Sequence, residues 1–338
     1  MDFLTHYGLF LAETLTIVIA IAAIIAMITA AAEKNKHITG FIEIKKLDEK
    51  FEQYKNLIDG ATLAPHLIKR NRKQAKLEQK KAKKQAKSAS TPVKNRVFIL
   101  DFHGDIRASA VQSLREEITA ILTVANENDE VLVRIESPGG MVHAYGLAAS
   151  QLDRLRQKSV NLTVAVDKVA ASGGYLMACV ANQIVAAPFA IVGSIGVVAQ
   201  IPNFHRLLKK HDIDYELLTA GEYKRTLTVF GENTEQARQK FLRDMEDIHL
   251  LFKEFIQKYR PQVELAQVAT GEHWPAIRAV QLKLVDSIQT SDDYLFERSQ
   301  THDLFEVSYK VKKRLGARVC LFAQNMLDKI LYNGHSTT

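Results

Sequence analysis

Leu162–Ala178 reads LTVAVDKVAASGGYLMA. Five apolar or β-branched residues, LTVAV, make a buried strand, and YLMA continues as CVA at helical spacing, so the intervening Val169–Tyr175 is where a strand gives way to a helix. The same alternation spreads in both directions. Strands are predicted at Val97–Phe102, Val131–Ile135, Ile184–Ala186 and Ile195–Val198, with helices from about Ala108 to Ala125, at Ala144–Leu155 and from near Ser172. Strand, helix, strand in this order predicts an α/β domain with largely parallel strands covered by helices. The apolar run Ala186–Ile201 is interrupted by Pro188, Gly193, Ser194 and Gly196 and followed by Pro202, which marks core strands and not a membrane span.

The N-terminal part is different in kind. Leu15–Ala32, LTIVIAIAAIIAMITAAA, has no charge and is long enough to cross a bilayer. Ala30-Ala31-Ala32 would suit a signal-peptide cleavage rule, but Met1–Tyr7 contains no Lys or Arg, which favours an uncleaved anchor. Lys34, Lys36, Lys45 and Lys46 follow the span, and the positive-inside rule then places the body in the cytoplasm; a long following domain can be translocated against that bias, so the side stays open. Phe41–Ile58 reads as an amphipathic helix. From Lys69 to Lys87 ten Lys or Arg face the single acid Glu78, more charge than the whole chain's net +7. The remainder is therefore slightly acidic, and no basic domain is left to grip nucleic acid. The run is either a solvated spacer or a segment drawn to anionic head groups. The expected organisation is an anchor over 1–35, an amphipathic and lysine-rich spacer over 36–93, an α/β domain over 94–300 and a C-terminal extension over 301–338. The bilayer partner would be met through residues 9–32. Ala317–Tyr332 carries an apolar stripe suited to core packing or to a subunit or membrane contact.

Two cysteines in 338 residues, Cys179 and Cys320, form no CxxC or Cys/His cluster; both read as buried small residues, and neither a metal nor another cofactor is expected. Three places break the strand and helix pattern in a manner that chemistry explains. Glu136-Ser137-Pro138-Gly139-Gly140 ends the strand VLVRI, and its bare backbone can approach a substrate and offer N–H groups to an oxyanion. An ordinary Pro-Gly turn is the alternative. Ser172 sits on the strand-to-helix turn, where its hydroxyl would stand at the sheet edge beside helix N–H groups. Taken singly, an N-cap is the commoner reason for a serine there. Gly173 would supply an N–H alongside that of Gly139. No histidine lies between Ser172 and Pro202; His205 and His211 read as surface residues, and His103 and His143 as weak candidates for a base. Lys224, in Gly221-Glu222-Tyr223-Lys224-Arg225-Thr226, could act as the base if desolvation brings its amine towards neutrality.

In combination these segments resemble the signal peptide peptidase A family of serine proteases, and within it the SohB-type membrane proteases: ESPGG, AASGGY, GSIGV at Gly193–Val197 and GEYKRT occur in that order and at family-like spacing. The resemblance implies Ser172 as nucleophile, Lys224 as general base, Ser194 as the residue that orients the lysine amine, and Gly139 and Gly173 as oxyanion-hole donors. It also implies a fold related to ClpP and crotonase, peptide substrates such as signal-peptide remnants, a bacterial inner-membrane location and a homo-oligomer. Many relatives have proline before the phenylalanine that follows the lysine, whereas here Val229 precedes Phe230. Gly271-Glu272-His273-Trp274, with Ala279 and Leu284-Val285-Asp286, resembles the family's closing motif and is assigned to packing, with Trp274 in a core or interface role. A crotonase-like acyl-CoA enzyme would not need Ser172 and Lys224 together, and a scaffold with a decayed site would have lost one of these groups.

Overall fold

Arg96–His103, RVFILDFH, turns one set of side chains to each face of a sheet: Phe98, Leu100 and Phe102 join one buried cluster, Val97 and Ile99 another. A strand buried on both faces reads as a continuous apolar run, as this one does. The computed structural model that contains it describes residues 5–16, 40–64, 66–67, 69–70, 73–74, 77 and 94–311. In chain order the elements are β1 (Gly40–Lys46), α1 (Leu47–Thr62), β2 (Arg96–His103), α2 (Val111–Leu122), β3 (Glu130–Glu136), α3 (Val142–Gln157), β4 (Asn161–Val166), β5 (Val169–Ala171) and α4 (Gly173–Ala178). There follow β6 (Gln183–Ala186), β7 (Ile191–Gly193), α5 (His205–Lys210), α6 (Glu235–Tyr259), α7 (Leu265–Val268), β8 (His273–Pro275), α8 (Ala276–Ala279), β9 (Ser287–Ile288), α9 (Ser291–Ser299) and β10 (Asp303–Val311).

Seven strands form one sheet in the order β1-β10-β2-β3-β4-β6-β9, and β5-β7-β8 form a second. From β10 to β9 every neighbouring pair is parallel, whereas β7 and β8 are antiparallel. Helices α2 and α3 cover one face of the large sheet through Leu114, Ile118, Ile121, Leu152 and Leu155. On the other face Leu47 and Phe51 of α1 and Tyr294 and Leu295 of α9 meet Val97, Ile99 and Leu132. The mixed α/β architecture with a parallel sheet is thus as expected.

Two expected elements differ. Gly40–Lys46 is a strand, and helix α1 begins only at Leu47. In GFIEIKK the β-branched Ile42 and Ile44 alternate with Glu43 and Lys45, a period of two that favours an edge strand over a helix. The strand expected at Ile195–Val198 lies instead at Ile191–Gly193. Gly193 with φ +100° and Ser194 with φ +54° turn the chain out of the sheet there.

The chain divides into two units, residues 42–309 and residues 1–41 with 310–338. In the second unit residues 5–16 are helical. Among the described residues no helix is long and apolar enough to cross a membrane. The expected anchor lies, from residue 17 onward, outside the described residues, as do most of the lysine-rich run, the Ala317–Tyr332 stripe and Cys320. Cys179 is buried and free, and burial pushes its thiol well above the ordinary range.

Candidate active site

The ESPGG segment leaves β3 and crosses to the second sheet. Ser137 N–H donates to Val169 O at 2.8 Å, Ala171 N–H donates to Ser137 O at 3.0 Å, and Ser137 and Ala170 form a parallel bridge. The strand that ends in Ser172 is therefore clamped to the glycine turn by backbone hydrogen bonds. Gly139 has φ +95°, and a Cβ placed on it would stand 2.7 Å from Ser172 Cβ and 2.8 Å from Gly173 N. Only a residue without a side chain can approach the serine so closely.

Ser172 itself has φ +52° and ψ −119°, a left-handed conformation that costs a non-glycine residue on the order of 1–3 kcal/mol. Its side chain makes no capping hydrogen bond to α4, so the N-cap reading fails. The strain is held by the surroundings: Ser172 N–H donates to Gly193 O at 2.7 Å, and Leu176 N–H donates to Ser172 O at 2.9 Å. The hydroxyl is out of cap geometry at the head of the helix, half-buried and, among the described residues, without a hydrogen-bond partner. Gly173, as the first residue of α4, has an N–H with no intrahelical acceptor.

The glycine turn divides its donors. Gly139 N–H donates to Ser137 Oγ at 3.1 Å. Among the described residues the next amide, Gly140 N–H, has no acceptor, while Met141 N–H donates to Ile106 O at 2.8 Å. Among the described residues the amides of Gly140 and Gly173 thus have no acceptor, and the expected Gly139 N–H is turned into the protein.

Ser194 follows the residue whose carbonyl holds Ser172. Its φ is +54°, and its N–H donates to Glu272 O at 2.6 Å, which joins the closing motif to the site. Trp274 lies against the bare face of Gly193, where a Cβ would meet its ring carbon at 2.8 Å. Trp274 therefore packs under the turn that carries Ser194, as the packing role expected.

Lys224 is exposed, and among the described residues its amine has neither a hydrogen bond nor an ion pair; only its N–H is engaged, with Gly221 O at 3.2 Å. Its loop is tied mostly to itself. Phe204 N–H donates to Val229 O at 2.7 Å, Asn203 Nδ2 donates to Thr228 O and Gly231 O, and Phe230 lies between Phe204 and Tyr215. The structure gathers Ser172, Gly139, Gly173 and the Gly193-Ser194 turn, and among the described residues no hydrogen bond or ion pair joins Lys224 to them. Of the histidines weighed in the sequence, His103, His143 and His211 are exposed and His205 is half-buried, and His103 faces Glu136 at 3.8 Å.

Sequence reasoning missed the groups behind the turn. Tyr145 and Ser137 are fully buried, with Ser137 Oγ and Tyr145 Oη 2.6 Å apart and Tyr145 O–H donating to Asp105 O at 2.8 Å. The helix after the serine has a second hidden anchor. Tyr175 O–H donates to Leu284 O at 3.0 Å, and Arg260 holds the adjacent Asp286 through two hydrogen bonds, of 2.8 and 2.7 Å. Burial raises the Tyr175 hydroxyl far above its ordinary range, so it serves as a neutral donor. A buried tyrosine looks the same in sequence whatever its hydroxyl does, so no signal marked either residue.

A parallel α/β body that strains a serine against a glycine turn is the frame of a hydrolase, and the comparisons agree. Residues 2–152 match Peptidase family S49 N-terminal and residues 154–304 match Peptidase family S49, so the chain belongs to peptidase family S49 and is a peptidase. It is 52% identical over 322 residues to Probable protease SohB of Haemophilus influenzae, covering 93% of this chain and 91% of that one. With Probable protease SohB of Buchnera aphidicola subsp. Schlechtendalia chinensis it shares 48% identity over 308 residues, 88% of this chain and 100% of the other. Among solved structures, a membrane-bound stomatin-specific protease in complex with a substrate peptide aligns with a TM-score of 0.35 and 16% identity, over 61% of this chain and 80% of that one.

Proposed function

We propose that this peptidase is a membrane-anchored serine endopeptidase with a Ser172–Lys224 dyad, built on a ClpP/crotonase-like fold. The observation that carries the proposal is the strained, uncapped Ser172 with Gly139 pressed against it. Neutral Lys224 takes the Ser172 proton as Oγ attacks the scissile carbonyl. The tetrahedral oxyanion is stabilised by the Gly173 N–H and by an N–H of the Gly139-Gly140 turn, where the Gly140 amide is free and that of Gly139 is engaged by Ser137. Collapse breaks the C–N bond, and the proton on Lys224 passes to the leaving amine. Water then attacks the acyl-enzyme, with the amine of Lys224 as base, and releases the new carboxyl end and Ser172. Ser194 orients the lysine in this scheme.

For that role Lys224 must leave the solvent-exposed position it has in the single chain, because only a desolvated amine is neutral at working pH. A covering surface is supported by the segment around it, which exposes Val198, Phe204, Leu207, Leu218, Tyr223 and Phe230. Apolar exposure on this scale suits contact with another chain, and a homo-oligomer is the proposed state. The uncharged Leu15–Ala32 supports a single-pass anchor in a bacterial inner membrane, with the following lysines favouring a cytoplasmic body. Signal-peptide remnants and unfolded or membrane-derived polypeptides are the proposed substrates.

The test is hydrolysis of fluorogenic peptides by the full-length chain in detergent. Ser172→Ala and Lys224→Ala should each abolish turnover, and wild-type activity should rise with pH as the amine loses its proton. Cleavage that survives either change would sink the dyad.

A further inference from the structure

We infer that Tyr145, acting through Ser137, is a positioning residue that holds the Gly139-Gly140 turn in register with Ser172; the inference rests on the reading of Ser172 as nucleophile. The hydrogen bonds have one consistent direction. Asp105 O can only accept, so the single proton of Tyr145 goes to it at 2.8 Å. Across the 2.6 Å contact Ser137 Oγ must then donate to Tyr145 Oη. Its lone pairs are left for Gly139 N–H at 3.1 Å. A chain of donors thus runs from Gly139 through Ser137 and Tyr145 to Asp105, each bond polarising the next in a site where both side chains are 0% exposed. Burial raises the Tyr145 hydroxyl above its ordinary range, which keeps it protonated and the direction unchanged.

The surrounding glycines show what the pair touches. A Cβ at Gly104 would fall on Ser137 Oγ and the Tyr145 hydroxyl, and one at Gly173 would fall on the Tyr145 ring. One at Gly174 would stand 2.6 Å from Ser137 O. The tyrosine and serine are therefore packed against the first residues of the helix that begins at the nucleophile, and bonded to the turn that faces it. Taking Gly139 N–H inward fixes the Pro138–Gly139 peptide plane, from which the Gly139–Gly140 peptide with its free Gly140 N–H leads on. Without that bond Gly139, at φ +95°, could exchange among the several conformations open to glycine. A misplacement of about 1 Å at such a donor can lower turnover by about a hundredfold.

Tyr145→Phe removes only the hydroxyl and keeps the ring that packs on Gly173 and, at 6.3 Å between centroids, on Phe102. Steady-state peptide hydrolysis by the full-length chain, with folding followed by circular dichroism, should show Tyr145→Phe and Ser137→Ala each lowering kcat about ten- to a hundredfold with KM within about twofold. Because both act on one chain of bonds, the double variant should fall no further than the weaker single variant. Unchanged kcat in either folded variant, additive losses, or a loss confined to KM would overturn the inference. If Tyr145→Phe does not fold, Ser137→Ala decides, since it leaves the bond from Tyr145 to Asp105 in place. Ser172→Ala in the same assay separates the two readings: activity surviving there removes the nucleophile assignment, whereas its loss together with an unaffected Tyr145→Phe removes only the positioning role.

Discussion

At Ser172 and Gly139 the site depends on backbone conformation before it depends on side-chain chemistry. Both have positive φ, and each holds the other: the serine can present its hydroxyl only because residue 139 has no Cβ to collide with it. Gly139→Ala should therefore do double damage. The added methyl group, 2.7 Å from Ser172 Cβ, must move one of the two turns, and the left-handed backbone costs on the order of 1–3 kcal/mol more. The expected result is a lower unfolding midpoint in urea together with loss of peptide hydrolysis; a variant of normal stability and activity would show that the close approach is not required. That Ser172, Gly139 and Gly173 would meet at one place was legible in the sequence, because a serine and glycines at the ends of apolar strands are local features. Which glycine amide is free was not, because that depends on a side chain two positions away turning back to bind one of them.

Among the elements, β3 carries the ESPGG turn and pairs with β2, and the far ends of the two strands are fastened by Arg96 and Asp129. Arg96 Nη2 donates to Asp129 Oδ2 at 2.5 Å and its Nε donates to Oδ1 at 3.0 Å, while the Asp129 side chain is only 3% exposed. Burial alone would raise the Asp129 carboxyl, but the hydrogen bonds and charge of Arg96 and the Asn126 N–H outweigh it and hold the group below the ordinary carboxylate range. A depressed folded-state pKa means that its stabilisation is fully present above the unfolded-state value, about 3.9, and is lost as pH falls through the lower folded value. Asp129→Asn should then be less stable than wild type at neutral pH by urea denaturation, with the gap closing below about pH 4. A gap that stays constant down to pH 2 would exclude this linkage. The order of strands and helices was readable from periodicity, whereas β1 was misread as helix because its short alternation runs directly into the longer helical pattern of α1.

On the scale of the whole molecule, the proposed nucleophile and its proposed base stand in different surroundings. Ser172 belongs to a body bonded on every side, while Lys224 belongs to a loop closed mainly upon itself and open to solvent. The adjoining α6 has 25 residues, of which only Ile256 is buried, and it exposes Leu242, Leu250 and Leu251. Phe252, Phe255 and Tyr259 pack it on the core, and the apolar side chains it leaves exposed suit the partner surface of the proposed homo-oligomer. Replacing Leu250 and Leu251 together with Glu should dissociate the proposed assembly in light scattering and reduce hydrolysis in parallel. Full activity from a wild-type monomer would count against any need for a second chain.

The alternation of apolar strands and helices, the glycine turns at strand ends and the order of ESPGG, AASGGY, GSIGV and GEYKRT were enough to define a parallel α/β peptidase of family S49, because periodicity and turn chemistry are local and survive in a bare string of residues. The inward bond of Gly139, the partnership of Ser137 with a tyrosine eight positions later, the anchoring of the serine's helix at Leu284 and the exposure of Lys224 came into view only with the folded chain. Each depends on how close separate segments come and how much water they exclude, and neither quantity leaves a periodic mark on the residues that produce it.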